Sequence, residues 1–271
     1  MWYGFDRVVE SDLTVLFTGA SSGIGREAAL RLGTGGARLA LVARREEALR
    51  ALAVEIEAAG GPEPLVLGGD LSVPGTATEL AQRALRELGD IDVLVNNAGG
   101  STQGLAWQLG DAEAARAIFE TNLWSPLALI AALTPGMVER GRGAIVNTGS
   151  MARVSPFPRL GHYAASRAAL SAATQTLALE LRPHGVRLVE LALGPVDTDS
   201  SRANRDLPGG ERWLDGPPGL GDVGAAAGAL VHAVTGDRHG VVHYPGILRW
   251  VDAFPGLGRR YARRAARYAE V

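Results

Sequence analysis

The run Leu13-Thr14-Val15-Leu16-Phe17-Thr18-Gly19-Ala20-Ser21-Ser22-Gly23-Ile24-Gly25 decides how this chain folds. Leu13 to Thr18 reads as a buried strand, and Ile24 to Leu32 carries the apolar spacing of a helix. Between them stand Gly19, Gly23 and Gly25. Glycines in a strand-to-helix turn let backbone N–H groups approach a pyrophosphate, and the helix N-terminus adds positive potential. The Gly-x-x-x-Gly-x-Gly spacing in this context predicts a dinucleotide site, built from Gly19, Ser21, Ser22, Gly23, Ile24 and Gly25, rather than a turn without function.

The same alternation continues downstream. Apolar strands are expected at 38–43, 64–67, 91–95, 144–148 and 186–191, with a helix over 46–59 after the second strand. Continuous apolar strands separated by helices predict an α/β fold: a doubly wound, Rossmann-like parallel sheet of about seven strands, with helices on both faces. One domain is expected over 13–245, after an extension at 1–12 and before a tail at 246–271. The stretch 112–140 reads as helical, with a kink or break near Pro126 and Pro135. Asp199 to Gly221 is polar and rich in Gly and Pro, yet holds Trp213 and Leu214. It follows the sixth strand, where such sheets bind ligands, and is expected to form a substrate lid.

Composition narrows the function classes. At 271 residues the chain suits one α/β domain, and a net charge of −2 provides no field to recruit nucleic acid. No cysteine is present, which excludes disulfides and thiolate metal sites, and no metal is expected. Met1 to Asp12 lacks the features of a signal peptide, and no apolar run approaches the ~20 residues of a membrane span, so a cytoplasmic location is expected. The Lys+Arg total of 27 consists entirely of Arg.

Past the glycine turn, Ala43-Arg44-Arg45 stands where an acid would bind the ribose hydroxyls of NAD. An acid repels a 2′-phosphate, whereas Arg pairs with it, so at least one of Arg44 and Arg45, Arg44 first, is expected to select NADP(H); the plain alternative is that both begin a solvated helix. Further on, Tyr163 and Arg167 lie four residues apart, one helical turn, and so share a face. A cation beside a phenol favours the phenolate. Arg supplies that charge but cannot release a proton.

The segment His162-Tyr163-Ala164-Ala165-Ser166-Arg167, with Ser150 upstream, resembles the signature of the short-chain dehydrogenase/reductase family, where Tyr-x-x-x-Lys follows a Ser. Here Arg takes the Lys place. The resemblance spans roughly 13–245 and five motifs in family order. It implies that Tyr163 is the acid/base, Ser150 the hydrogen-bond donor to the substrate oxygen, and Asn122 the holder of a relay water. Arg167 then binds the nicotinamide ribose. It further implies adenine contacts at Asp70 and Leu71, ribose contacts at Asn97, Ala98 and Gly99, and carboxamide contacts at Val196 and Thr198. Asn96 braces the sheet. Leu193 stands where the family has Pro. His162, on a different side of the helix from Tyr163, is not expected to replace it as base.

These readings together predict an NADP(H)-dependent oxidoreductase that reduces a ketone to a secondary alcohol, with a pocket drawn from 100–109, 152–161 and 199–221. A non-redox isomerase, cyclase or dehydratase on the same fold, or a redox-inactive dinucleotide-binding protein, is the alternative. The expected partner is a small carbonyl or alcohol substrate, with a homodimer or monomer as the assembly. In the tail, Arg259, Arg260, Arg263, Arg264 and Arg267 form a basic stripe at helical spacing, preceded by Leu248, Trp250, Val251, Phe254 and Leu257. A solvated helix is the plain reading of the stripe. An anionic carrier, a membrane surface or a partner subunit are the functional ones.

Overall fold

The computed structural model describes residues 13–101, 103–155, 157–206, 214 and 219–266. The extension 1–12, most of the expected lid (207–213 and 215–218) and residues 267–271, including Arg267, lie outside the described residues. Seven strands form one sheet: β1 (Thr14–Thr18), β2 (Arg38–Ala43), β3 (Leu65–Gly68), β4 (Val93–Asn96), β5 (Gly143–Ser150), β6 (Val186–Leu193) and β7 (Gly240–Tyr244). Their order is β3-β2-β1-β4-β5-β6-β7, and every pair is parallel.

Alternation along the strands assigns side chains to two cores. Val15 and Phe17 of β1 point to one face, packing with Ala28 and Leu32 of α1 (Gly23–Thr34), Leu52 of α2 (Glu46–Ala58) and Leu230 of α9 (Val223–Thr235). Leu16 points to the other, with Leu80 of α3 (Thr76–Leu88) and Leu133 of α6 (Ser125–Glu139). Helices on both sheet faces therefore follow from strands apolar on both faces. The strand order reverses between β1 and β4, which opens a crevice at their carboxyl ends.

The remaining helices shape that crevice. They are α4 (Ala106–Leu109), α5 (Glu113–Phe119), α7 (Gly161–Leu181), α8 (Asp199–Arg205), α10 (Leu248–Ala253) and α11 (Pro255–Ala266). The expected break near Pro126 takes the form of a π-helical turn at Glu120–Trp124. No break occurs at Pro135, which α6 accommodates without interruption. Its flanks Leu133 and Met137 are buried, so core packing outweighs one lost backbone bond. The helical run Glu113–Glu139 is, among the described residues, the one long and apolar enough to cross a membrane by composition. Here α6 packs against α3 and β5. Strands β5 and β6 run further than their apolar patterns, ending paired at Ser150 and Leu193. That extension carries Ser150 to the crevice.

Candidate active site

The ends of β1 and β4 are stapled by one hydroxyl. Thr18 Oγ1 donates to the Val95 carbonyl at 3.1 Å and accepts from the amides of Asn97 and Ala98, both at 3.0 Å. Asn97 Nδ2 then donates to the Thr18 and Gly19 carbonyls at 3.2 Å each. A Cβ at Gly25 would lie 2.2 Å from the Gly19 carbonyl oxygen and 2.3 Å from Asn97 Nδ2, so only glycine allows this closure. Asn96 Nδ2 donates to Asn147 Oδ1 at 2.9 Å, inside the sheet, as expected of a brace.

The residues of the glycine turn fit an anionic dinucleotide. Helix α1 starts at Gly23, Ser22 makes no side-chain capping bond, and the first turn carries no acid. Its N–H groups suit a phosphate. Arg45 Nη2 reaches both the carbonyl and Oγ of Ser21 at 3.3 Å, which places its charge over the turn. Asp70 lies at the end of β3. Burial alone would raise its pKa, but two bonds from Ser72 and the charge of Arg44 outweigh burial and hold the carboxyl below the ordinary range. Arg45 thus lies at the turn, while the charge of Arg44 acts on Asp70 after β3.

A cavity of about 220 Å³ lies at the carboxyl ends of β4, β5 and β6. Eight of the expected site residues line it together: Ile24, Asn97, Gly99, Ser150, Tyr163, Arg167, Val196 and Thr198. The expected pocket segments contribute Gly100, Ser101, Ala152, Ser201, Asn204 and Leu214. Gly149, Met151 and Gly194 also line it; the only sequence signal for them is adjacency to Ser150 and Val196. Ser101 Oγ is buried without a hydrogen-bond partner among the described residues.

Tyr163 and Arg167 meet as one turn of α7 predicts. The Arg167 guanidinium lies 5.5 Å from the Tyr163 ring centroid, with Nη1 donating to the Thr148 carbonyl at 3.0 Å. The side chain is buried, and Nε has no hydrogen-bond partner among the described residues. A Cβ on Gly99 would come within 1.9 Å of Nη2, so the chain after β4 must be bare there for Arg167 to fit. Ser150 Oγ accepts from the Ala152 amide at 3.1 Å, closing the 3₁₀ turn Met151–Arg153. Asn122, in the π turn, is not a cavity-lining residue. Its Nδ2 donates to the Gly100 carbonyl at 2.9 Å and to Ser166 Oγ at 3.0 Å, while Oδ1 accepts from the Gly100 amide at 2.9 Å. His162 Nε2 meets the Gly110 carbonyl at 2.7 Å, so that ring tethers α7 rather than serving the cavity.

A glycine turn at a switch point, with Ser, Tyr and a cation around one cavity, defines a dinucleotide-binding class of α/β protein. Residues 13–208 match the family model described as short chain dehydrogenase, and the chain belongs to the short-chain dehydrogenase/reductase family. It is 36% identical over 187 residues to a short chain dehydrogenase of Pseudocercospora fijiensis, covering 69% of this chain and 60% of that protein. The chain thus spans about three fifths of the length of such curated relatives. Among solved structures it resembles a short-chain dehydrogenase from Sphingobium yanoikuyae in complex with NADPH. There the identity is 34% and the TM-score 0.77, over 90% of this chain and 93% of that one. It also resembles a 7α-hydroxysteroid dehydrogenase complexed with NADH, at 26% identity and a TM-score of 0.80, over 91% and 97% of the two chains.

Proposed function

We propose that the chain is an NADP(H)-dependent oxidoreductase that reduces a ketone to a secondary alcohol, with Tyr163 as acid/base and Arg167 in the family's Lys place. The observation that supports this most is the meeting of Ser150, Tyr163 and Arg167 with Asn97, Gly99 and Val196 around one cavity. The bound cofactor supplies the hydride. The Ser150 hydroxyl donates a hydrogen bond to the carbonyl oxygen and stabilises charge developing there. The Tyr163 hydroxyl transfers its proton to that oxygen, and a fixed cation at Arg167 favours the phenolate left behind. The Arg167 guanidinium on the cavity wall suits the hydroxyls of a nicotinamide ribose. Arg keeps its proton, so no relay passes through position 167.

Asn122 braces the Gly100 loop with its side chain, and the family resemblance adds the role of holding a relay water. Residues 199–221 remain our candidate lid, with Ser201 and Asn204 of α8 on the cavity wall. Screening a ketone panel by loss of nicotinamide absorbance tests the reading. Once a substrate is found, Tyr163→Phe should lower turnover by about 10²–10⁴-fold. Turnover unchanged in that variant would end the Tyr163 mechanism and favour the non-redox alternative.

A further inference from the structure

We infer that the tail segment 246–266 docks this protein on an anionic phospholipid surface. Leu248, Gly258 and Ala262 are buried toward the body of the fold. Leu248 packs on Met151 and Ala192, and Ser155 Oγ donates to the Gly258 carbonyl at 3.2 Å. The opposite side carries a ridge that no described residue covers. Ile247, Trp250, Phe254 and Leu257, spaced three, four and three residues apart, are each more than half exposed. Trp250 and Phe254 stack with centroids 6.5 Å apart, and the Arg249 guanidinium lies 5.2 Å from the Trp250 ring. Large apolar side chains held outward in a continuous row are costly in water.

Charge identifies the occupant. Arg249, Arg259, Arg260, Arg263 and Arg264 are all exposed on this segment. Its one carboxylate, Asp252, is turned inward, bonded to Arg153 at 2.6 Å and to His243 at 2.8 Å. Among the described residues, a chain of net charge −2 therefore presents, on this segment, exposed cations beside aromatic and aliphatic groups. Arginine around a Trp, Phe and Leu ridge matches an interface of anionic headgroups over acyl chains. A protein partner of opposite charge would satisfy the arginines, but it would have to bring its own apolar groove.

Co-sedimentation of the full chain tests this, with vesicles of phosphatidylcholine alone or mixed with phosphatidylglycerol. The chain should pellet with the mixed vesicles only. Binding should weaken about thirtyfold in Arg260→Gln/Arg264→Gln, at about fivefold per arginine. It should weaken about tenfold or more in Trp250→Ser/Phe254→Ser. Thermal unfolding reports whether each variant is folded; if a double variant is not, Ile247→Ser and Leu257→Ser carry the same comparison. Failure to pellet with either vesicle overturns the inference. So does binding that the ridge substitutions leave unchanged. A dimer in sedimentation velocity that the ridge variant dissolves, with vesicles unbound, would assign the ridge to a second copy instead.

Discussion

Arg167 is a guanidinium enclosed on three sides: the Thr148 carbonyl holds one end, Tyr163 lies under it, and Gly99 leaves room for the other. A buried cation without these contacts would be strongly destabilising. Lys would bring a compact ammonium on a shorter reach but the same charge. Arg167→Lys should keep turnover within about tenfold of the parent, whereas Arg167→Ala should lose about 10²–10⁴-fold, both read as kcat on whichever ketone proves active. Arg44 and Arg45 make a second residue-scale case. NADPH should bind about tenfold to hundredfold more tightly than NADH. Titration of Arg44→Ala and Arg45→Ala should show weaker NADPH binding with NADH little affected; equal affinities of the parent for the two cofactors would remove the assignment. Both arginines were legible as sequence because they follow a strand end. The cradle around Arg167 was not, since Thr148 reaches it from β5 and Gly99 from the chain after β4.

At the scale of elements, helix ends and strand ends decide the layout. Arg187 of β6 donates to the Ala233 and Val234 carbonyls at 2.7 Å each, and to Arg238 at 3.3 Å, capping the C-terminus of α9. Burial pulls its pKa below the usual arginine range, against the opposing charge of Asp237. Charge-assisted bonds to the last carbonyls of a helix combine hydrogen bonding with the helix dipole. Arg187→Met should therefore destabilise by about 2–3 kcal/mol, seen as a fall in Tm of roughly 5–10 °C. Strands were read well from apolar runs, because two-faced burial leaves a continuous signal. Their carboxyl ends were read short at Ser150 and Leu193, since small and polar residues there still pair in the ladder. The π turn escaped because its residues have ordinary helical composition, and Pro135 misled because its cost is local while its neighbours' burial is not.

Across the whole molecule, Asp252 joins the tail to the sheet. Arg153, which follows Ser150 in the same turn, bonds Asp252 and pairs with Glu190 of β6 at 3.3 Å, while Ser171 of α7 donates to Glu190 at 2.7 Å. Burial alone would raise the Asp252 pKa, but bonds from Arg153 and His243 outweigh it and lower it. A carboxyl depressed on folding contributes stability above its unfolded pKa of about 3.9, and that contribution is lost as pH falls through the lower folded value. Asp252→Asn should thus lower Tm near neutral pH, and the gap from the parent should narrow as pH falls below about 4. Thermal melts across pH check it, and a gap that stays constant would show that the effect is not ionic. The arginine stripe was visible in sequence, but the inward turn of Asp252 was not, because its partners lie 99 and 9 residues away.

That ion cluster also sets what can be exchanged between relatives. A graft replacing only the segment after Tyr244 would strip Arg153 and His243 of their shared acid. A graft of the loop after β5 alone would leave Asp252 buried opposite whatever side chain the donor carried. The transferable module is therefore two stretches far apart in the chain, the turn at 151–153 and the helix at 248–253, moved together with position 243. Chimeras cut at a single point between β6 and β7 would inherit half of an ion-paired joint whose other half touches the Ser150 turn.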